Sequence, residues 1–232
     1  SLFAFPLNQL PFVALVIIIA FTLHEFAHAF AADRFGDPTP RSMGRVTLNP
    51  RVHLDLLGML LIFLVGFGWA KPVMIRPGFF KKPRIMSIIV ALVGPLANLL
   101  LVFVGVLACY VLYEFNFQES VSIGLYRAVG LFLRLFIQLN LVLFLFNLLP
   151  LPPLDGYRIL HEFLPYNLQV RLQRVSQWAF FIFLLMVFVP PIYRITLQPV
   201  FGLAVPILAA FDSALAALFG QYGQLGLIFT FG

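Results

Sequence analysis

Long apolar segments dominate this sequence and restrict what it can fold into. A transmembrane helix needs roughly 20 predominantly apolar residues, and four candidate spans are present: Leu7 to Ala32, Ile85 to Tyr113, Ile123 to Leu149 and Val175 to Val189. A fifth run, Leu197 to Phe219, contains Pro199 and Pro206 and predicts either a span or an interfacial helix. Because 62% of the 232 residues are hydrophobic and only 10% are charged, a soluble globular fold is excluded.

Basic residues predict the orientation of these spans. Twelve of the 15 Lys and Arg residues fall in three clusters: Arg34, Arg41, Arg45 and Arg51; Lys71, Arg76, Lys81, Lys82 and Arg84; and Arg158, Arg171 and Arg174. Loops rich in Lys and Arg stay on the cytoplasmic side, so the first helix runs inward, the next two run out and back, and Val175 to Val189 exits. The run Leu56 to Phe67 has basic flanks on both sides and is too short to cross, which predicts a re-entrant or interfacial segment.

The net charge of +6 follows from this topology and from attraction to anionic lipid at the inner leaflet. The lipid bilayer is therefore the expected surrounding of the chain. No pattern in the sequence predicts nucleic acid binding.

The motif HEFAH at positions 24 to 28 places three ionisable side chains at the end of an apolar helix. On a helix, His24 and His28 are one turn apart and share a face, so both imidazoles can bind one metal ion, with Glu25 beside it. A catalytic zinc ion keeps an open position for water, and Glu25 would take a proton from that water during peptide hydrolysis. A chance match, or two histidines paired for helix packing, is the alternative, although ionisable groups at membrane depth are costly and usually functional.

A third metal ligand must come from elsewhere in the chain. The acidic and histidine candidates on the expected side are Asp33, Asp37, His53, Asp55, Asp155, His161 and Glu162. Asp155 stands out because it follows three prolines that cannot continue a regular helix. Broken helix at membrane depth is tolerated where it lines a cavity, and a membrane hydrolase needs such a cavity. His53 and Asp55 fit a structural role in their loop better, and His161 and Glu162 a surface or interface role.

Three motifs in this order carry a resemblance to a known family. HEFAH, GPLAN at 94 to 98 and NLLPLPPLDG at 147 to 156 resemble the site-2 protease family of intramembrane zinc metalloproteases, and GRVTLNPRVHLDLLG and GFGWAKPV resemble its bacterial members. The resemblance covers roughly residues 15 to 165. It implies that His24, His28 and Asp155 bind Zn2+, that Glu25 is the catalytic base and that Asn147 holds the substrate or its oxyanion. Asn98 would line the same region, or hydrogen-bond between helices.

The resemblance also implies a fold and a location. The expected architecture is an all-α polytopic membrane protein, a bundle of about four to six transmembrane helices with a short re-entrant β-loop at about 40 to 70. RVTLN at 45 to 49 alternates apolar and polar residues between Gly44 and Pro50, as a short strand does. Its edge could pair with an unwound substrate or simply close a hairpin. Residues 1–165 would form the protease core and 166–232 additional membrane helices, with no room for a PDZ or CBS domain.

The function implied is an endopeptidase that cuts transmembrane segments of membrane proteins near the cytoplasmic side, in the cell membrane of a bacterium. Two other functions compete with it. A non-catalytic membrane protein could use the same fold to bind a metal or a partner helix, although such a protein has no need of Glu25. A metal transporter would need polar residues along a full path, and the outer halves of these helices offer few.

Overall fold

The structure, a computed structural model, describes residues 4–66 and 68–219. The helices in this part of the chain are α1 (Leu10–Arg34), α2 (Thr39–Ser42), α3 (Pro50–His53), α4 (Leu56–Val65), α5 (Pro83–Glu114), α6 (Phe117–Ser120), α7 (Ile123–Asn147), α8 (Asp155–Phe163), α9 (Tyr166–Ser176), α10 (Ala179–Phe188), α11 (Pro190–Ile195), α12 (Leu197–Gly202) and α13 (Ala204–Phe219). Single 3-10 turns lie at Leu7–Gln9 and Pro77–Phe79.

Four helices are long and apolar enough to cross a membrane, by length and composition. They are Leu7–Arg34, Pro83–Glu114, Ile123–Asn147 and the joined pair Leu197–Phe219. At 1.5 Å per residue, even the shortest of them reaches about 34 Å, which exceeds the hydrocarbon thickness of about 30 Å. The prediction of an all-α chain with at least four span-length apolar helices is confirmed for the described residues. Leu197–Phe219 has the length and composition of a span, and its crossing of the bilayer stays a prediction.

The core of the bundle is formed where α5 packs against α7 and α1. Val102 and Val106 of α5 are buried against Ile137 of α7, while Val13 and Val16 of α1 are buried in a second cluster with Phe136. Gly105 lets α5 and α7 approach closely, because a Cβ at that position would lie 2.7 Å from Ile137 Cγ1. The three central helices thereby form a rigid support for the side chains that point between them.

The opposite side of α5 is apolar and exposed. Leu96, Leu100 and Val104 recur every four residues and are about half exposed, whereas Asn98, two residues after Leu96, is fully buried. A stripe of this kind suits contact with lipid. The polar groups of α5 therefore face the bundle interior, where the candidate site lies.

The predicted strand RVTLN is wrong: residues 45–49 are irregular, and residues 4–66 and 68–219 contain no strand. The polar groups of this segment are used locally instead of in a ladder. The Thr47 carbonyl accepts a hydrogen bond from His53 Nε2 (2.7 Å), and the Asn49 side chain caps α3 by accepting from Arg51 N–H (3.1 Å). These short-range bonds satisfy the backbone without a partner strand.

The short apolar run forms α4, which at ten residues covers only about 15 Å. Asp55 caps its start by accepting from Gly58 N–H (2.8 Å), and Gly66 ends it with a φ of 79°. This matches the expectation that the run is too short to cross a membrane. Its predicted last residue, Phe67, lies outside the described residues.

The predicted helix Val175 to Val189 differs in the structure. Residues 166–188 form two helices, α9 and α10, that meet at a bend of 70°. The polar residues Arg171, Gln173 and Arg174 keep α9 out of an apolar span, and the ten residues of α10 are too short to cross alone. The pair qualifies only as a broken span or a re-entrant element. The division into a core (1–165) and a C-terminal part (166–232) stays a prediction, and its ends at 1–3 and 220–232 lie outside the described residues.

Candidate metal centre

Three side chains from distant parts of the sequence meet between α1, α5 and α8. His24 Nε2 lies 3.0 Å from His28 Nε2, and Asp155 Oδ2 lies 3.1 Å and 3.2 Å from these two nitrogens. All three residues are buried. The spacing of HEFAH brings the two histidines together, and Asp155 joins them from a position 127 residues beyond His28.

The hydrogen bonds on the far side of each imidazole determine which nitrogen is free. His24 Nδ1 lies 2.7 Å from Asn98 Oδ1, and His28 Nδ1 lies 2.6 Å from the Val90 carbonyl oxygen. Both oxygens only accept hydrogen bonds, so each imidazole donates from Nδ1 and keeps a lone pair on Nε2. Both Nε2 lone pairs therefore face Asp155 and could bind a metal ion. Metal-binding histidines usually have outer hydrogen-bond partners of this kind.

Asn98 is itself held by a second buried asparagine. Its Nδ2 donates to Asn140 Oδ1 (3.0 Å), and Asn140 Nδ2 donates to the Phe136 carbonyl oxygen (2.8 Å). Both of the functions considered for Asn98 are thus present, since it lines the site and also joins α5 to α7. Asn140 was not singled out by the sequence analysis. The sequence feature that could have indicated Asn140 is its position as a polar amide in the middle of an apolar helix.

Replacing Asn98 with alanine is expected to lower zinc affinity by about 10- to 100-fold, the usual cost of removing an outer partner of a metal ligand. Without an acceptor at Nδ1, His24 can change tautomer or turn its ring. Asn98→Asp retains the acceptor oxygen for His24 but loses the donor to Asn140 Oδ1, so it is expected to keep more zinc affinity than Asn98→Ala and less than the wild type. Competition with a chromophoric zinc chelator measures all three affinities. Equal affinity in the wild type and Asn98→Ala would contradict this function of Asn98.

Asp155 is positioned by the break between α7 and α8. The turns after Asn147 contain Pro150, Pro152 and Pro153, and Asp155 is the first residue of α8. Gly156 allows the helix start to pack on the end of α7, because a Cβ there would lie 2.2 Å from the Leu148 carbonyl oxygen. The Asp155 carboxylate thereby reaches the Nε2 atoms of both histidines.

Glu25 follows His24 on α1 and is also buried. Its Oε2 accepts a hydrogen bond from the backbone N–H of Val73 (3.1 Å). The carboxylate lines the same cavity as the two histidines and Asp155. One carboxylate oxygen is thereby anchored while the other is free to contact a ligand.

The segment that anchors Glu25, residues 68–76, has no regular secondary structure and is held by hydrogen bonds. The Lys71 N–H donates to the His53 carbonyl oxygen (2.8 Å), and the Lys71 carbonyl oxygen accepts from the buried Arg45 guanidinium. Further along, the Arg76 N–H donates to Asp37 Oδ2 (2.6 Å). Arg45, from the segment expected to form a strand, thus holds the wall of the site together with the His53 carbonyl oxygen and the Asp37 carboxylate.

Gly94 of GPLAN provides the space in which the histidines meet. A Cβ at this position would lie 2.3 Å from His28 Nε2 and 2.9 Å from His24 Cε1. No side chain fits there without displacing a ligand. GPLAN is recognisable in the sequence, but no function of Gly94 was predicted from it.

A cavity of about 470 Å3 opens beside the three ligands. Its walls are largely apolar and include Phe21, Trp69 and Phe146. Asn147 lines it too, but its Nδ2 donates to the Leu143 carbonyl oxygen one turn earlier (2.9 Å). Phe180 and Phe183 of α10 close part of it. A site this apolar excludes much of the bulk water, which strengthens electrostatic interactions inside it.

The three ligand atoms fit a tetrahedral zinc ion. With bonds of about 2.0–2.2 Å, tetrahedral ligand atoms lie about 3.3–3.6 Å apart, and the observed separations of 3.0–3.2 Å differ from this by a few tenths of an ångström. Two imidazoles and one carboxylate form a common catalytic donor set for zinc, which leaves a fourth position open. His24, His28 and Asp155 are also the group of potential metal ligands found within the described residues.

Comparison with known proteins identifies the family. Residues 12–190 match the sequence profile of Peptidase family M50. The chain belongs to this family. M50 is the site-2 protease family, so the resemblance carried by the three motifs is confirmed.

Named relatives agree with this assignment. The Bacillus subtilis protein "Putative zinc metalloprotease YwhC" is 42% identical over 195 residues, which cover 84% of this chain and 88% of that protein. "Putative zinc metalloprotease Rip2" of Mycolicibacterium smegmatis is 32% identical over 207 residues, 82% of this chain and 72% of that protein. The protein of the same name from Mycobacterium tuberculosis H37Rv is 35% identical over 180 residues, 75% of this chain and 65% of that protein. No solved structure matches the chain significantly.

The remaining ligand candidates of this M50 chain have other partners. His53 is fully buried and bonded through Nε2 to the Thr47 carbonyl oxygen, and Asp55 caps α4. Burial lowers the pKa of His53, and the nearby Arg45 charge lowers it further. Asp33 pairs with Arg41 at 2.6 Å, and Asp37 bonds two backbone N–H groups. The structural interpretation of His53 and Asp55 is therefore confirmed.

Proposed function

We propose that this M50 protein is an intramembrane zinc endopeptidase that hydrolyses peptide bonds in the transmembrane segments of other membrane proteins. The observation that carries the proposal is the placement of His24, His28 and Asp155 in an apolar cavity between helices long enough to cross a bilayer. A metal site at this depth serves substrates that are themselves in the membrane. The family membership and the names of the relatives support the same chemistry.

His24, His28 and Asp155 would hold the zinc ion. When bound, zinc supplies a Lewis acid that polarises the scissile carbonyl and makes a neighbouring water more acidic. The hydrogen bonds from His24 to Asn98 and from His28 to Val90 keep both imidazoles aimed at one point. The Asp155 carboxylate completes the ligand set.

Glu25 would act as the general base. It takes a proton from the attacking water and can return it to the amide nitrogen of the leaving group. The Val73 N–H holds one of its oxygens at 3.1 Å, so the other oxygen points in a defined direction when the proton moves. Held in this way, Glu25 needs little rearrangement during the reaction.

Asn147 is proposed to hold the substrate carbonyl or its oxyanion. Amide N–H groups stabilise developing negative charge in this way. The side chain lines the cavity, but its donor is bonded to the Leu143 carbonyl. Function at this position therefore requires Asn147 to exchange that intrahelical bond for one to the substrate.

The active site is proposed to face the cytoplasmic side of the cell membrane. The hydrogen bond from His28 to Val90 and the contacts of Asp155 bring the end of α1, the start of α5 and the segment after α7 to one end of the bundle. The three basic clusters of the sequence flank these same points. The rule that positive loops remain inside then supports a cytoplasmic position.

A substrate must be extended before it can be cut, because a helix buries its peptide groups in internal hydrogen bonds. The irregular wall at residues 69–73 is proposed to serve as the re-entrant element that contacts it. The backbone groups of Lys71 and Val73 are bonded to His53, Arg45 and Glu25. Ala70 and Pro72 also line the cavity. In this proposal the substrate-binding edge lies later in the loop than the RVTLN segment.

Hydrolysis of a synthetic transmembrane peptide by the detergent-purified protein tests the proposal. Cleavage is expected with zinc bound, is lost on treatment with a zinc chelator and returns on adding zinc. A protein that binds zinc with the expected ligands but cuts no membrane-spanning peptide would instead support a non-catalytic metal-binding or partner-binding protein. Cleavage that persists without metal would contradict the proposed mechanism.

A further inference from the structure

A second cavity of about 300 Å3 lies next to the metal-site cavity. Its polar lining residues are Ser87, Tyr157, Arg158, His161, Glu162 and Gln173. None of them is used by the proposed chemistry. Arg158 lines both cavities, so the two meet at this side chain.

The two cavities follow one another along the same three elements. The segment 68–76 contributes Trp69 and Val73 to the first cavity and Ile75 to the second, and α8 contributes Asp155 to the first and Glu162 to the second. On α5, Asn98 lines the first cavity, whereas Ser87 lines the second, about 16 Å nearer the start of the helix. The two neighbouring cavities, which share Arg158, are called the groove below.

The lining of the groove changes from apolar in the first cavity to polar in the second. The first cavity has apolar walls apart from its site residues and Arg158, whereas the second presents hydroxyl, guanidinium, imidazole, carboxylate and amide groups. The sequence of a transmembrane protein also changes from apolar to polar, where its membrane-spanning segment ends and a hydrophilic flanking segment begins. The groove thus matches the border between the span and the flank of a membrane substrate.

Several polar groups in the second cavity lack partners. The Ser87 hydroxyl is buried without a hydrogen bond, and among the described residues Arg158 makes no hydrogen bond or ion pair. Glu162 lies one turn after Arg158 without pairing with it, and its charged neighbour is His161 at 3.8 Å. Arg158 is exposed and Glu162 is part-buried, so both charged side chains can reach a ligand in this cavity, whereas the enclosed Ser87 hydroxyl cannot.

We propose that the second cavity is a substrate subsite that binds the hydrophilic cytoplasmic flank of the membrane protein being cut. Glu162 accepts a basic side chain of that flank, while Arg158 donates to its main-chain carbonyls. The assignment to a basic flank follows from the excess of Lys and Arg in cytoplasmic loops next to membrane spans. The inference rests on the proposed peptidase function, because the occupant is its substrate.

Peptide binding to a variant that cannot cleave tests the proposed subsite separately from the proposed peptidase activity. The probes are three fluorescent peptides that share an apolar segment of about 20 residues and differ in a lysine-rich, serine-rich or glutamate-rich flank. Their affinity for zinc-loaded Glu25→Gln protein is measured by fluorescence anisotropy in detergent. We expect the lysine-rich peptide to bind about three- to tenfold more tightly than the serine-rich peptide, as a partly buried ion pair allows.

Two further variants in the same Glu25→Gln background assign the preference to the cavity. Adding Glu162→Gln is expected to remove the preference for lysine, and adding Glu162→Lys to transfer it to the glutamate-rich peptide. Glu119→Gln changes an exposed carboxylate of α6; it is the matched control and should keep the original preference. Equal affinities for the three flanks, or a preference that survives Glu162→Gln, would overturn the subsite. If the preference is present but the zinc-loaded wild type cuts none of the peptides, the subsite stands and the proposed peptidase function fails.

Discussion

Replacing Glu25 with glutamine is expected to lower kcat for peptide hydrolysis by about 100- to 10,000-fold, the usual contribution of a general base, while zinc content stays at the wild-type level. Glutamine has the size of glutamate and can still accept the hydrogen bond from Val73 N–H. It cannot take a proton from water. The variant therefore separates proton transfer from metal binding, and zinc analysis beside a cleavage assay measures both.

The comparison variant for this test is His28→Ala, which removes a ligand and is expected to lose zinc and activity together. If Glu25→Gln lost as much zinc as His28→Ala, Glu25 would be a metal ligand and not the base. Substantial cleavage by zinc-loaded Glu25→Gln would remove Glu25 from the mechanism.

Replacing Gly94 with alanine is expected to weaken zinc binding strongly although no ligand is changed. The added methyl would lie 2.3 Å from His28 Nε2 and 2.4 Å from His28 Cε1, closer than non-bonded atoms approach. His28 cannot swing away without breaking its hydrogen bond to the Val90 carbonyl. We expect zinc affinity to fall by about 100-fold or more. Removing a residue that hydrogen-bonds to a metal ligand lowers metal affinity by up to about 100-fold, and displacing the ligand itself should cost at least as much. Chelator competition measures it.

Gly105→Ala is the matched control on the same helix. Its methyl would meet Ile137 Cγ1 at 2.7 Å, so it disturbs the packing of α5 against α7 without touching a metal ligand. This variant is expected to unfold at a lower temperature and still bind zinc. If Gly94→Ala bound zinc as tightly as the wild type, the close approach of α5 to the histidines would be wrong.

Features with a strict local pattern could be predicted from the sequence. HEFAH determines that His24 and His28 share one helical face, and the three prolines before Asp155 indicate the break that frees it from α7. The three longest apolar runs agree with α1, α5 and α7 to within a few residues. In each of these cases a short stretch of sequence is sufficient to determine the local structure.

Features that depend on tertiary contacts could not be predicted in this way. RVTLN alternates like a strand, but its Arg45 is drawn to the Lys71 carbonyl and its Thr47 to His53, so no ladder forms. The importance of Gly94 becomes visible only when α1 lies against α5. Asn140 likewise has a function only through Asn98, which lies 42 residues earlier in the chain.

The most direct test of the account is the zinc content of the purified wild type and of Asp155→Ala, measured by mass spectrometry after purification without chelators. The account predicts about one zinc ion per chain in the wild type and a large loss in the variant, because Asp155 Oδ2 lies 3.1 Å and 3.2 Å from the two histidine nitrogens. Full zinc in both proteins would remove Asp155 from the ligand set. The absence of zinc from both would contradict the metal centre itself.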